Sequence, residues 1–227
     1  MFVHLIRATV LLCLLYSLPG LAAGVEDDRL WLNVNVNGPT ADPRWRWYAE
    51  LQPRWRDEGG TLDQSVGRSA VYYSLNKQSS LWFGYAFVTS EPANRPDFDE
   101  NRVWQQYLYN FSPVEGMAWQ SRSRLEQRWI ENSQETGHRF RQMLRLSVAS
   151  GLHPSLAWVA FDEYFVNLNN TDYGARKGFD QNRWFLGFNW AFDDKTKMEL
   201  GYLNQRVNTT QADSVFHVLA TSLNINF

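Results

Sequence analysis

Cysteine is almost absent from this sequence. The single cysteine among the 227 residues is Cys13, inside an apolar run near the start of the chain. Leu12 precedes it, where a lipoprotein signal would have a small residue, so a lipid anchor is not expected. The rest of the chain therefore has neither a disulfide framework nor a thiolate metal site.

Long hydrophobic runs are also missing after residue 23. Residues 1–23 resemble a secretory signal peptide, with Arg7, an apolar run over residues 8–18, and the small residues Ala22 and Ala23. The apolar run falls short of the roughly twenty residues that span a bilayer, so we expect cleavage rather than an anchor. The mature domain is then residues 24–227, which without a spanning helix can cross a membrane only as a closed β-barrel.

Lysine is scarce, because four of the 22 basic residues are Lys and eighteen are Arg. Removing the leader leaves 21 basic and 24 acidic residues, a formal charge of about minus three. This balance excludes a nucleic-acid binder that depends on overall positive charge. The preference for Arg favours buried, bidentate pairing with carboxylates.

The last stretch of the chain, residues 214–227, alternates between apolar and polar side chains. Most odd positions are apolar, whereas Ala220, Ser222, Asn224 and Asn226 occupy even ones, a period of two that is typical of a strand with one oily face. The aromatic carboxyl terminus resembles the signal by which bacterial outer-membrane barrels are recognised by their insertion machinery. We therefore expect that machinery and outer-membrane lipid as partners. The residues of this signal are Leu219, Leu223, Ile225 and Phe227.

Alternation recurs in earlier runs, giving eleven in all, most of them 10 to 14 residues long. A tilted strand needs about 9 to 11 residues to cross a bilayer. Because bacterial single-chain barrels have an even number of strands, we expect a closed, antiparallel up-and-down transmembrane β-barrel of 10 to 12 strands. The first run is then an edge piece or has an unrecognised partner. The expected outer loops are 90–101, 131–137, 169–178 and 208–213, and the expected inner turns are 76–79, 112–116, 150–154 and 193–196.

A soluble periplasmic β-sandwich or a lipocalin-like barrel would show similar alternation. Two features favour the membrane barrel instead. Tryptophans such as Trp45, Trp129 and Trp190 lie near strand ends, and several strands carry Arg at every second position opposite large aromatics. One small core has no room for so many aromatic rings. We therefore expect the aromatic rows to face lipid and the arginines to face the lumen.

Short motifs along the whole mature chain carry a further resemblance. They are Trp31, Asn33 and Asn35; Glu50, Leu51, Gln52, Pro53 and Arg54; Glu100, Asn101, Arg102, Trp104, Gln105 and Gln106; Arg122, Arg124, Glu126 and Arg128; Asp162, Glu163, Tyr164 and Phe165; and Phe179, Gln181, Asn182, Arg183 and Gly187. In these motifs, taken in order, the chain resembles the uncharacterised outer-membrane barrels grouped as domain-of-unknown-function family 2490. The resemblance implies a fold and a location, the cell outer membrane, but no activity.

Arginines and glutamates on the polar strand faces form the main candidate site. In a narrow barrel these long side chains reach across the bore. They either fill the interior and hold strand register, or form a porin-like constriction that favours small anionic solutes. The candidates are Arg46, Glu50, Arg54, Arg122, Arg124, Glu126, Arg128, Arg141, Arg145, Glu163 and Arg183, with Arg68, Arg139 and Glu199 beside them.

Enzyme motifs are weak, so we expect no catalytic site, metal or cofactor. His217, with Ser214 or Ser222, is the only combination suited to an interfacial lipid-modifying enzyme, and a girdle His near the outer rim of the membrane is the simpler explanation. No metal-ligand spacing such as His-x-x-x-His occurs. The acidic residues Asp97 and Glu100 suit a divalent cation or lipopolysaccharide phosphates, but a solvated charge run is the simpler interpretation.

The expected function is therefore that of an outer-membrane barrel of non-enzymatic role, either a narrow channel or an envelope component. A binding scaffold is a further alternative. Its recognition surface would be the outer loops 90–101 and 169–178.

Overall fold

The structure, a computed structural model, describes residues 26–209 and 212–227 and is a closed β-barrel of eleven strands. The predicted signal peptide lies outside the described residues. The strands are β1 Glu26–Pro39, β2 Trp45–Arg56, β3 Thr61–Ser74, β4 Ser79–Ser90, β5 Phe98–Asn110, β6 Met117–Ile130, β7 Gly137–Ala149, β8 Leu156–Asn167, β9 Gly178–Ala191, β10 Thr196–Val207 and β11 Ser214–Asn226, with a 3-10 turn at Asp57–Gly59.

Period-two alternation decides which side chains face out. On β4, Phe83 and Phe87 are exposed while Ala86 and Val88 are fully buried. Successive side chains of a strand point to opposite faces, so each strand divides cleanly between exterior and lumen. In the described part of the chain no helix is long and apolar enough to span a membrane.

Each strand pairs antiparallel with the next along the chain, from β1 through β11. The ring closes between β1 and β11, which run parallel from Glu26 beside Val215 to Asn37 beside Asn226. The closed barrel of 10 to 12 strands is confirmed. The expected even number was wrong, because a parallel seam lets an odd number of strands close. β1 is accordingly a full strand with two partners, not an edge piece.

The connections divide between the two ends of the barrel. One end, the C-terminal end, holds Phe227 and the short connections 40–44, 75–78, 111–116, 150–155 and 192–195. The other, the loop end, holds connections 57–60, 91–97, 131–136, 168–177 and 208–213. This matches the predicted grouping of loops and turns. The predicted outer loop 90–101 was too long, since β5 already begins at Phe98.

Large apolar side chains cover the exterior and charged ones fill the interior. Leu219 is 54% exposed and Phe83 57%, whereas Glu126 is 1% exposed and Glu163 3%. A sandwich or a lipocalin-like barrel would bury the aromatics and leave the guanidinium groups in water. The arrangement is the inverse, as predicted for the aromatic and Arg rows.

One part of the interior is apolar. Val159, Phe185, Leu203 and Val218, from β8 to β11, pack with Trp31 of β1 into a buried cluster. This explains why the β8 sequence is apolar on both of its faces. The cluster fills part of the bore, next to charged side chains of the same strands such as Arg183 of β9.

A close approach between β4 and β5 positions another lumen aromatic. Trp104 lies directly opposite Gly84 and its indole covers the glycine, so that a methyl group there would overlap the ring. Glycine is required at this position for packing space.

Candidate functional site

The lumen collects the charged residues that alternation placed on the inner strand faces. Strands β2, β6, β7, β8 and β9 contribute them. All eleven lumen candidates from the sequence face inward: Arg46, Glu50, Arg54, Arg122, Arg124, Glu126, Arg128, Arg141, Arg145, Glu163 and Arg183.

A continuous chain of ion pairs joins β6, β7 and β8. Glu126 accepts hydrogen bonds from Arg139 Nη2 and Arg141 Nη1, each at 2.7 Å. Arg141 Nε then donates to Glu163 Oε1 at 2.9 Å, and Arg122 Nη2 donates to the same oxygen at 2.7 Å. Because the two carboxylates are almost completely buried, these charge-assisted bonds are needed to offset their desolvation.

A second group of ion pairs lies nearer the loop end. Glu100 accepts two hydrogen bonds from Arg102, both at 2.7 Å, and two from Arg128, at 2.5 and 3.1 Å. The sequence had assigned Glu100 to an acidic outer loop, together with Asp97. That interpretation was wrong for Glu100, which is a buried β5 residue whose charge is already neutralised by two guanidinium groups.

Two further carboxylates are paired closer to the C-terminal end. Arg68 of β3 pairs with Glu50 of β2, whose second oxygen accepts a 2.6 Å hydrogen bond from the Tyr48 hydroxyl. Arg145 of β7 pairs with Glu199 of β10. These pairs use all of the carboxylates that line this part of the lumen other than Glu163.

In the middle of the lumen, three arginines have no carboxylate at hydrogen-bond distance within the described residues. Arg54 donates to the side-chain oxygens of Gln52 and Gln64, and Arg124 donates twice to Gln106 at 2.9 and 2.7 Å, with Glu126 at 3.8 Å. These partners are neutral amides. Neither group therefore makes a charge-assisted hydrogen bond to a carboxylate, and the Glu126 oxygen at 3.8 Å is the nearest counter-charge of Arg124 among the described ion pairs.

Arg183 is held by aromatic rings alone. Its guanidinium carbon lies 4.9 Å from the Trp31 ring centroid and 4.8 Å from that of Phe165, and its buried Nε has no hydrogen-bond partner in the described chain. The Arg54 guanidinium stacks on Trp31 as well, at 4.1 Å. Cation–π contacts stabilise a guanidinium without neutralising its charge.

Two cavities lie in the lumen. The C-terminal chamber, about 480 Å³, extends to Lys197 and Asn224, and the loop chamber, about 600 Å³, extends to Arg95 and Tyr173. Five side chains line both cavities, at the level where the two cavities adjoin, and we call this level the waist. They are Trp31, Arg54, Arg68, Arg141 and Arg183.

Positive charge exceeds negative charge in the C-terminal chamber. Eight cationic side chains line it against three carboxylates, a surplus of five. An enclosed surplus of this kind creates a positive potential that attracts anions.

The four residues of the predicted insertion signal lie on the outer side of β11 and at its end. Leu219 is exposed, and Phe227 stacks on Trp47 with ring centroids 6.0 Å apart. The Phe227 amide donates a 2.9 Å hydrogen bond to the Asn37 carbonyl. Leu223 and Ile225 share the face of Leu219 by alternation.

His217 faces outward, where its Nδ1 shares a 2.5 Å hydrogen bond with the Tyr202 hydroxyl. Ser222 faces the lumen, because its hydroxyl accepts a 3.0 Å bond from Asn35. Ser214, three residues before His217, is on the inner face by alternation. The candidate His–Ser combination is therefore not assembled.

Metal ligation has no support among residues 26–209 and 212–227. No group of three or more His, Cys, Asp or Glu side chains in these segments is arranged to hold a metal ion.

Sequence reasoning missed several residues of the lumen. Arg102, Asp180 and the aromatic platforms Trp31 and Phe165 were not among its candidates. Continuing the period-two face back from Gln106 through Trp104 and Arg102 to Glu100 would have found the β5 ion pair.

Comparison with known proteins assigns the chain to a family. The model of a family described as "Protein of unknown function (DUF2490)" matches residues 28–215. The chain belongs to this family. The DUF2490 match extends from β1 to the first residues of β11 and includes all eleven lumen candidates.

A relative of similar length occurs in Methylorubrum extorquens. It is an uncharacterised protein, 34% identical over 209 residues, and the alignment covers 91% of this chain and 90% of the relative. The suspected family is thereby confirmed.

Proposed function

We propose that this protein is an outer-membrane β-barrel of non-enzymatic role, closed at its waist, that serves as an envelope component. The observation that carries the proposal is the inverted distribution of side chains, with exposed Leu and Phe outside and buried Arg and Glu inside. Lipid is the solvent that accepts an apolar exterior of this kind. Because the barrel is closed, no strand has a free edge, and the backbone N–H and C=O groups can pair between strands as a bilayer requires.

Outward polar side chains support the same location, because they pair with one another. Asn182 donates a 2.6 Å hydrogen bond to Asp162 across β8 and β9, and Ser123 donates a 2.5 Å bond to Gln142 across β6 and β7. A polar group without a partner is costly in hydrocarbon, and these pairs reduce that cost.

The side chains at the waist favour a barrel that does not conduct ions freely. Phe165 is fully buried within the bore, and Arg183 lies between it and Trp31. The ion pairs of Glu126 and Glu163 hold the neighbouring arginines in place. A non-enzymatic role fits the separation of His217 from the two candidate serines onto opposite faces of the barrel wall.

Cell fractionation and conductance test the proposal. The full-length chain, expressed in a Gram-negative host, should appear in the outer-membrane fraction and migrate differently on gels before and after boiling, as folded barrels do. Purified protein in planar bilayers should give no steady current. Recovery in the soluble periplasmic fraction would refute the membrane location, and a stable open-channel current would refute the closed waist.

A narrow anion-selective channel is the second candidate. The surplus of positive charge in the C-terminal chamber favours it, since Arg-lined constrictions select anions. If current is observed, its reversal potential in a KCl gradient should indicate chloride selectivity. Cation selectivity would exclude this candidate.

A further inference from the structure

The three arginines that lack a carboxylate at hydrogen-bond distance converge on one cavity. Arg54, Arg124 and Arg183 all line the C-terminal chamber, and the first and last also belong to the waist. Burying a guanidinium without a counter-charge is unfavourable, and neutral amides or aromatic rings offset only part of the cost. An anion in the chamber would supply the missing charge. Planar guanidinium groups match a carboxylate through two parallel hydrogen bonds.

An apolar wall adjoins these arginines in the same chamber. Phe161 and Phe185 stack with ring centroids 5.0 Å apart, and Leu203 and Ala220 continue the surface on β10 and β11. This wall is the cavity side of the buried cluster around Val159 and Val218. The chamber therefore presents a cationic surface next to an apolar one.

We infer that the C-terminal chamber is a binding site for a small amphipathic anion, with a carboxylate that contacts Arg183 and Arg54 and an apolar or aromatic body that lies against Phe161 and Leu203. The inference rests on the proposed closed barrel, since the waist makes this chamber a blind pocket. Its volume, about 480 Å³, is within the range of small-molecule sites. A simple inorganic anion would leave the apolar wall in contact with water.

Calorimetric titration of the full-length barrel in phosphatidylcholine nanodiscs tests the site, with 2-naphthoate as the probe. Neutral 2-naphthalenemethanol tests the need for charge, and acetate and inorganic phosphate test the need for an apolar body. The variants are Arg183→Gln and Phe161→Ala. The matched control is Arg206→Gln, because Arg206 is at the loop end, paired with Asp213 and outside the chamber.

We expect one saturable site for 2-naphthoate in the unmodified protein and in the Arg206→Gln variant. Arg183→Gln should weaken binding about ten- to hundredfold, the usual range for a hydrogen bond to a charged group. Phe161→Ala should weaken it about tenfold through lost apolar contact. The alcohol, acetate and phosphate should bind much more weakly.

Folding is monitored separately by the heat-dependent gel shift. Arg183 has no ion-pair partner in the described segments, so Arg183→Gln should fold at least as well as the unmodified chain. No saturable binding by a folded, membrane-located barrel would overturn the inference while leaving the proposed function intact. Equal affinity in the Arg183→Gln variant, or equal affinity for phosphate, would overturn it as well.

Discussion

Arg145 of β7 reaches Glu199 of β10 across the bore, past the two strands that lie between them. The hydrogen bond from Arg145 Nη1 to Glu199 Oε1 is 3.3 Å long, and a second joins Nη2 to the other oxygen. Most other lumen ion pairs join strands that are nearest or next-nearest neighbours. This pair therefore ties together parts of the wall that share no backbone hydrogen bonds.

A double-mutant cycle measures the interaction energy between Arg145 and Glu199. Arg145→Gln, Glu199→Gln and the double variant, unfolded by urea in phospholipid vesicles, should give a coupling free energy of about 1 kcal/mol, because the pair is partly exposed. The pair Arg206 and Asp213, which is more exposed at the loop end, is the control and should couple less. A coupling of zero for the first pair would mean that the crossing contact does not persist.

Glu126 pairs with two buried arginines, so the loss of its charge should destabilise the barrel more than the loss of the Arg145–Glu199 pair. Glu126→Gln should lower the free energy of unfolding by about 3 to 5 kcal/mol, the cost of leaving buried charges without their partner. The same urea titration is the measurement. Glu115→Gln, in the exposed connection 111–116, should change stability by less than about 0.5 kcal/mol. Similar small effects for both variants would contradict the network described for Glu126.

Gly84 makes space for Trp104. Gly84→Ala should destabilise the barrel by about 1 to 3 kcal/mol, because the new methyl group must displace the indole. Gly67→Ala on β3 is a matched control, since its added methyl would meet only the Leu51 side chain at 3.9 Å. Combining Gly84→Ala with Trp104→Leu should recover part of the loss. Equal stability of the two alanine variants would argue against the close approach.

Asp172 joins two loops at the loop end in a pH-dependent way. The Ser133 hydroxyl and the Gln134 backbone N–H, the latter at 2.9 Å, donate to it and hold the pKa of Asp172 below its usual value. A lowered pKa stabilises the folded loops above the usual Asp value of about 4, and that contribution is lost as pH falls through the lowered value. The protection factor of the Gln134 amide in hydrogen exchange should fall over that range.

The Asp172→Asn variant should reduce Gln134 protection already at pH 7. The amides of Lys195 and Thr196, which donate to Asp193 at the other end of the barrel, are the internal control and should not change in this variant. Unchanged Gln134 protection in the variant would show that Asp172 does not hold the loops together.

Alternation in the sequence was sufficient to assign the inner and outer faces of most strands, but not the ion-pair partners of the inner side chains. The inward positions of Arg122, Arg124 and Arg141 follow from period two alone, because a strand has only two faces. Which carboxylate each guanidinium meets depends on strand register and on the curvature of the wall. The pairing of Arg122 with Glu163, two strands away, therefore could not be derived from local spacing.

The parallel pairing of β1 with β11, which closes the barrel, could not be predicted from the sequence either. The strand-number rule assumes that both termini lie at one end of the barrel, and nothing in the β1 residues signals a parallel partner. The facing of β5 was ambiguous because aromatics occupy both of its sides, Trp104 inside and Tyr107 outside. A rule that places every aromatic side chain on the lipid face and every polar one in the lumen therefore assigns aromatics of the lumen, such as Trp104, to the wrong face.

The parallel seam separates Glu26 from Phe227 by nearly the whole height of the wall. Glu26 lies beside Val215, and the twelve residues from there to Phe227 extend roughly 40 Å at strand geometry. A circular permutant would need a linker long enough to traverse that height. An epitope tag before Glu26 would accordingly label the loop end of the barrel, and a tag after Phe227 would label the C-terminal end.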